Sequence, residues 1–225
     1  NNEDAFAVRA DLGLCVVADG MGGAAAGELA SRIFTEAALE VFSNAHGEPG
    51  EQRVALVQKA FVTANERILA HVSRHPAHKG MGCTAEIVSF SADGFVLGHM
   101  GDSRTYRLRN SDLKQLSSDH SLVQEQVDQG VITPDEAKTH PMRNIILRAV
   151  GVKESVALDL LRGRIFRGDQ FLLCSDGLTD MVGDATIKQV LSSGEMPAKK
   201  VETLIALANQ AGGKDNITVV IAQVN

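Results

Sequence analysis

At four separate points an apolar run of this chain meets an aspartate set beside a glycine or an asparagine. Val16-Val17-Ala18 leads into Asp19-Gly20, FVLGHM into Gly101-Asp102, and FLLCS into Asp176-Gly177, while Gly213-Lys214-Asp215-Asn216 comes just before ITVVIAQV. A short apolar run bounded by turn residues reads as a buried strand. Taken singly, each of these aspartates reads as a turn, since Asp-Gly is a frequent hairpin dipeptide. Taken together they constrain the fold more tightly, because a sheet that gathers its strand ends would here gather carboxylates.

Aspartates brought within about 4–6 Å of one another repel and raise each other's pKa. A divalent cation removes that repulsion, and donors that are all oxygen select Mg²⁺ or Mn²⁺ over zinc. A glycine beside the aspartate leaves its carbonyl open to an ion. Two such ions about 3.5–4 Å apart lower the pKa of a shared water and clamp phosphoryl oxygens. Phosphate-monoester hydrolysis is slow enough to need accelerations of up to ~10²¹, and a site of this kind suits it.

The intervening sequence is regular enough to place these ends. AFAVRA and LGLCVVA predict a strand pair turning near Asp11–Gly13. A helix is predicted from about Glu28 to Ser43, with Leu29, Ile33, Ala37 and Val41 at helical spacing. After a loop around HGEPGE, a second helix runs from about Arg53 to Arg74, with Val54, Val57, Phe61, Ala64 and Ile68 on its buried face. CTAEIVSF, FVLGHM, RTYRLR and LKQL form a meander separated by the turns SADG, GDS and NSD. A helix is predicted over Ser121–Gln129, capped by Ser121, then a less regular stretch to about Val152. Strands SVALDLL and FLLCS, helices at about Asp184–Ser192 and Pro197–Ala211, and a strand NITVVIAQV close the chain. Strands and helices are segregated, so the fold class is α+β: two mainly antiparallel sheets face to face, each covered by a helix pair.

The 225 residues suit one domain with a full core, and 44% hydrophobic with 22% charged residues is ordinary globular composition. A net charge of −6 argues against a nucleic-acid scaffold. Cys15, Cys83 and Cys174 lie in apolar or tightly packed runs without zinc spacing and read as buried thiols, pointing to a reducing cytoplasm. No apolar run approaches a membrane span, and no signal peptide is visible. Because Asn1 is not methionine, the chain is expected to start inside a longer one.

NNEDAF, VVADGMGG, GCTAEI, HMGDSRTYRLR, LSSDHS, HPMRNIILRAVG, LLCSDGLTDMV and GGKDNITVVIAQV, in that order and over nearly the whole chain, resemble the successive motifs of the PPM family. These are the protein phosphatase 2C-like serine/threonine phosphatases, here in bacterial form. The resemblance implies a four-layer α/β/β/α sandwich and one catalytic domain over residues 1–225, with a mobile flap at about 120–155. It implies hydrolysis of phosphoserine and phosphothreonine in proteins, reversing a eukaryotic-like Ser/Thr kinase. Two core Mn²⁺ or Mg²⁺ ions are implied, with a third, weaker one. By position, Asp19 would bridge two ions and the Gly20 carbonyl would bind the second. Asp176 and Asp215 would hold the first, and Asp102, Asp176 and Asp180 the third. Asp4 would orient the attacking water, and Glu3 stands where some members place another ligand. Asn216 reads as a strand-entry residue, or one that supports the ligands, rather than as a ligand. The family's phosphate-gripping arginine falls upstream of Asn1. Met21 stands where eukaryotic relatives carry a proposed general acid, a histidine, so the proton donor to the leaving group is left open, with water as one candidate. A monomer without nucleic-acid or membrane partners is expected.

Other residues read more plainly. His140 reads as an exposed loop residue, Asp119 as a helix cap, His99 as packed, and Arg104 as the partner of a carboxylate. Residues 138–167 carry seven basic side chains (Lys138, Arg143, Arg148, Lys153, Arg162, Arg164, Arg167) against Glu154 and Asp159, a mixed surface whose field could draw a phosphorylated partner. Three rivals stand beside the phosphatase reading. Gly20-Met21-Gly22-Gly23-Ala24-Ala25 fits a dinucleotide-binding G-x-G-x-x-A turn, but Asp19 would meet a pyrophosphate and a second helix follows in place of a strand. The other two are a non-catalytic regulator and a phosphohydrolase of small molecules.

Overall fold

The computed structural model describes residues 1–43, 45, 49–92 and 94–225. The loop expected around HGEPGE and the SADG turn fall partly outside them. Ten strands and seven helices form among the described residues: β1 Asp4–Arg9, β2 Leu14–Met21, α1 Ala24–Phe42, α2 Gly50–Arg74, β3 Gly82–Cys83, β4 Ala85–Ser91, β5 Gly94–Met100, β6 Arg104–Arg109, β7 Asp112–Gln115, α3 Leu122–Asp128, α4 Pro134–Thr139, β8 Asp159–Gly163, β9 Gln170–Cys174, α5 Asp176–Thr179, α6 Asp184–Leu191, α7 Pro197–Gln210 and β10 Val219–Gln223.

They build an α+β sandwich. One antiparallel sheet has the order β1-β2-β4-β5-β8, with β3 also on β2; the other has the order β10-β9-β6-β7. Inward side chains alternate along the strands, so Cys15, Val17, Val88, Phe95, Leu97, Phe171, Leu173 and Val220 fuse the two sheets. On the outer face of the first sheet α1 and α2 pack together, with Phe34 edge-on to Phe61 at 5.0 Å. The second sheet is covered by α5, α6 and α7 around Leu178, Ile187, Leu191 and Leu204.

Three elements differ from expectation. Helix α1 starts at Ala24, four positions before Glu28, because alanine is the strongest helix former and nothing in AAAG blocks it. Its buried face is centred on Ala30, Phe34, Ala37 and Ala38; Leu29, Ile33 and Val41 flank it, half-buried. Helix α4 is additional: Thr133 and Glu136 form a reciprocal capping box and Pro134 occupies the first turn. Strand β8 begins at Asp159 rather than Ser155. Helix α3 forms as expected, with the Ser121 hydroxyl accepting the Gln124 amide at 3.2 Å.

The topology settles one rival. Strand β2 is flanked on both sides by antiparallel neighbours, and α1 leads into α2 rather than a parallel strand, so no dinucleotide-binding βαβ unit exists here. No helix among the described residues is long and apolar enough to cross a membrane. All three cysteines are buried and free.

Candidate active site

The register brings the four aspartate-bearing ends to one end of the sandwich. Asp4 lies opposite Asp19 in the β1–β2 ladder. Ala85 pairs with Met100, so Thr84 at the start of β4 meets the Gly101–Asp102 turn leaving β5. The Thr84 amide donates to the Asp19 carbonyl at 2.8 Å. In the second sheet Cys174 pairs with both Arg104 and Val219, which places Ser175-Asp176 beside the segment entering β10. Helix α5 then carries Asp176 at its start and Asp180 just past its end.

Glycine is required where these backbones crowd. A Cβ on Gly20 would lie 2.1 Å from the Gly27 carbonyl oxygen and 2.7 Å from that of Glu3. Gly101 has φ +120°, and a Cβ there would sit 2.5 Å from the Thr84 Cβ. Glu3 is stitched into this crowding: its amide donates to Asn216 Oδ1 at 2.7 Å, and its carbonyl accepts the Gly20 amide at 3.1 Å and the Ser31 hydroxyl at 2.5 Å.

The carboxylates feel one another. Burial, then the charges of Asp4, Asp176 and Asp102, push Asp19 up to about 10. Burial followed by Asp176 and Asp119 pushes Asp102 up to about 7, and burial followed by Asp180 and Asp215 pushes Asp176 up to about 6. Asp4 is raised by burial against the hydrogen bonds it accepts, among them the Ser175 hydroxyl at 2.8 Å on Oδ2. Asp4 Oδ1 and Asp176 Oδ1 are buried without any hydrogen-bond partner. Orphaned carboxylate oxygens of this kind call for a counter-charge. Among the described residues no three His, Cys, Asp or Glu side chains close on one point as a finished cation cage. The all-oxygen donor set of these aspartates fits hard divalent ions.

Each expected residue therefore has a place. Asp4, Asp19, Asp102, Asp176 and Asp180 form one electrostatically coupled group. Asp215 borders it, exposed, with Oδ1 accepting the Asn216 amide at 2.7 Å. Glu3 lies with Oε2 against Gly27 of α1. The Asn216 side chain holds the Glu3 amide. Ser175 and Thr84 were missed. Each adjoins a motif residue, but only the folded register reveals that Ser175 holds Asp4 and that the Thr84 hydroxyl accepts the Asp19 amide at 3.3 Å.

Asp119 does not cap a helix. It is held by Arg104 through Nε at 2.9 Å and Nη2 at 2.6 Å, because Ser121 stands at the cap position and Arg104 offers a paired donor fork. That contact fulfils the expectation for Arg104. His99 is packed as expected, bonded to Glu86 and, through Nε2, to the Ser118 carbonyl at 2.8 Å. His140 ends α4, half-exposed, and its Nδ1 accepts the Met142 amide at 3.2 Å.

The segment 121–150, carrying α3 and α4, stands over the acidic group. Between them lies a cleft of about 770 Å³ whose lining includes Asp102, Asp176 and Asp180 on one side and Lys138, Arg143 and Asn144 on the other. Arg143 Nε reaches Asp180 Oδ2 at 3.8 Å across it.

Comparison with known proteins places the chain. The family described as Protein phosphatase 2C matches residues 1–211. The serine/threonine protein phosphatase PstP of Mycobacterium tuberculosis is 43% identical over 225 residues, covering 100% of this chain and 42% of its own length. The chain thus spans less than half of that relative. Protein phosphatase PhpP of Streptococcus pneumoniae is 37% identical, covering 100% of this chain and 92% of its own. The crystal structure of the catalytic domain of PstP in complex with two manganese ions superposes with a TM-score of 0.88 at 40% identity, covering 100% of this chain and 93% of that one.

Proposed function

The chain belongs to the protein phosphatase 2C family, and from that premise we propose that it hydrolyses phosphoserine and phosphothreonine in proteins. The observation that carries the proposal is the acidic group at the strand ends, with two buried carboxylate oxygens left unpaired on Asp4 and Asp176. Asp19, the Gly20 carbonyl, Asp176 and Asp215 are the groups we assign to two core ions, Mn²⁺ or Mg²⁺. Asp102, Asp176 and Asp180 are assigned to a third, weaker ion, with Glu3 as an additional ligand. Bound divalent ions supply an activated water and neutralise charge on the phosphoryl oxygens.

The chain's own residues do the rest. Ser175 fixes Asp4 through Oδ2, and Asp4 Oδ1 is the atom left to hold the attacking water and take its proton. Arg143, Lys138 and Lys214 give the cleft a cationic lining that draws an anionic phosphorylated segment towards the acidic floor. Arg143 would exchange its contact with Asp180 for one with the phosphate as the segment enters. Met21 cannot donate a proton, and we assign protonation of the departing serine or threonine oxygen to water. Residues 1–225 act as one catalytic domain, with the segment at about 120–155 as its flap. In this reading the domain works as a monomer in the cytoplasm and opposes a Ser/Thr kinase.

The test is a comparison of phosphothreonine and phosphoserine peptides with p-nitrophenyl phosphate, each in Mn²⁺ and in excess EDTA. Manganese-dependent release with higher kcat/KM on the peptides is expected. Release that persists in EDTA, or is confined to the small ester, would sink the proposal.

A further inference from the structure

His120 stands behind Asp102, on the side away from the cleft. It is 7% exposed and grips Gly101 twice. Its backbone amide donates to the Gly101 carbonyl at 2.7 Å, and the Gly101 amide donates to its ring Nδ1 at 3.1 Å. An Nδ1 that accepts carries no proton, so the ring is neutral and Nε2 is the protonated nitrogen. Nε2 then donates to Asp159 Oδ2 at 3.1 Å on β8. Asp159 Oδ1 in turn accepts Arg148 Nη1 at 3.1 Å. The His120 carbonyl accepts the Leu147 amide at 2.7 Å, and the His99 ring lies tilted by 35° against its ring, the centroids 4.5 Å apart.

Arg148 Nη1 also stands 3.2 Å from Nε2, two donors brought together by their common acceptor Asp159. The hydrogen bonds of this residue converge on two objects. One is the Gly101–Asp102 turn, and the other is the base of the flap at Leu147 and Arg148 together with Asp159. Gly101 itself has a φ that only glycine adopts readily, so the turn depends on outside contacts to stay in place.

We propose that His120 is a positioning residue. Its Nδ1 holds the Gly101 amide, and thereby sets Asp102 at the depth where its carboxylate serves the outer cation. Its carbonyl and Nε2 tie that setting to the flap base. The assignment of Asp102 to a cation rests on the function proposed above; the clamp itself does not. Partners that orient a ligand without touching the metal are worth about 10–100-fold in metal affinity.

Replacements separate the two ring nitrogens. In His120→Asn the amide oxygen lies where Nδ1 lay and still accepts from Gly101, while the reach to Asp159 is lost. In His120→Gln the amide extends to the Nε2 position and abandons Gly101. The full chain, ¹⁵N-labelled and free of metal, is first examined by NMR for a through-bond ¹⁵N–¹⁵N coupling between the Gly101 amide and His120 Nδ1. The Mn²⁺ concentration giving half-maximal phosphopeptide hydrolysis is then measured for wild type, His120→Asn and His120→Gln, with Mg²⁺-induced amide shifts at Asp102 as a readout independent of turnover. The coupling is expected in wild type. The half-maximal Mn²⁺ concentration and the Mg²⁺ needed to shift Asp102 are expected to rise about tenfold or more in His120→Gln and to stay within about twofold in His120→Asn. Absence of the coupling, or equal responses of the two variants, would overturn the proposal. If wild type releases no phosphate at all, the function proposed above fails, while the coupling and the Mg²⁺ titration still decide the clamp.

Discussion

Asp4 and Asp19 stand directly opposite each other across the β1–β2 ladder, two carboxylates where a sheet ordinarily places a neutral or complementary pair. Without a counter-ion the pair persists only with a proton kept on Asp19, and that cost works against the attachment of the first strand. Removing one charge should therefore stabilise the metal-free protein even as it removes the group assigned to the attacking water. In EDTA, Asp4→Asn is expected to raise the melting temperature by about 2–4 °C, corresponding to about 1 kcal/mol. With saturating Mn²⁺ the order should reverse, since wild type then gains more from the ions. Differential scanning calorimetry with and without Mn²⁺ checks both signs; a variant less stable than wild type in EDTA would contradict them.

The same crowding sets a pH dependence. In the absence of ions the folded chain holds Asp19 at about 10, Asp102 at about 7 and Asp176 at about 6. Unfolded, all three give up their protons near pH ~4. Between those limits the folded state binds more protons than the unfolded one. The stability these groups contribute is fully present below the unfolded value and is lost as pH rises through each folded value. Stability in EDTA is expected to fall steadily from about pH 5 to pH 8, and Mn²⁺ should flatten the profile. Urea unfolding across that range measures the slope, and a rise with pH in EDTA would refute this explanation.

Gly20 offers a steric test of the site's floor. Its added Cβ would strike two carbonyl oxygens, those of Gly27 and Glu3, and neither can rotate away as a side chain end could. Gly20→Ala is expected to cost about 1–3 kcal/mol of stability through forced backbone shifts. Denaturant titration checks this; a change below about 0.5 kcal/mol would mean the strand, α1 and Glu3 separate more easily than their contacts suggest.

What the sequence disclosed follows from how local each signal is. The aspartate-bearing ends were legible because strand, turn and carboxylate are neighbours in the chain. The sandwich itself followed from the segregated order of strands and helices. The face of α1 was displaced because Ala30 and Ala38, which do the burying, carry no hydrophobic contrast, whereas Leu29 and Ile33 do. Helix α4 was written in Thr133, Pro134 and Glu136, but its six residues are too few to set up a period. Asp119 reads as a cap because a helix start lies two residues away, while its partner in the fold, Arg104, is fifteen residues upstream on β6. The bond from Ser175 to Asp4 spans 171 positions and exists only because both sheets end at the same place. The pairing of Arg143 with Asp180 across the cleft is of the same kind.

The central claim is that the acidic group holds divalent ions in order to release phosphate, and Asp176 is the carboxylate assigned to both the core and the outer ion. The most direct measurement is Mn²⁺ binding by calorimetry and phosphothreonine-peptide hydrolysis on the same samples of wild type and Asp176→Asn. Wild type is expected to bind Mn²⁺ and to release phosphate only in its presence. The variant, still folded, is expected to bind Mn²⁺ more weakly and to lose about a hundredfold or more in rate. A variant that hydrolyses the peptide at the wild-type rate with unchanged Mn²⁺ binding would contradict the account.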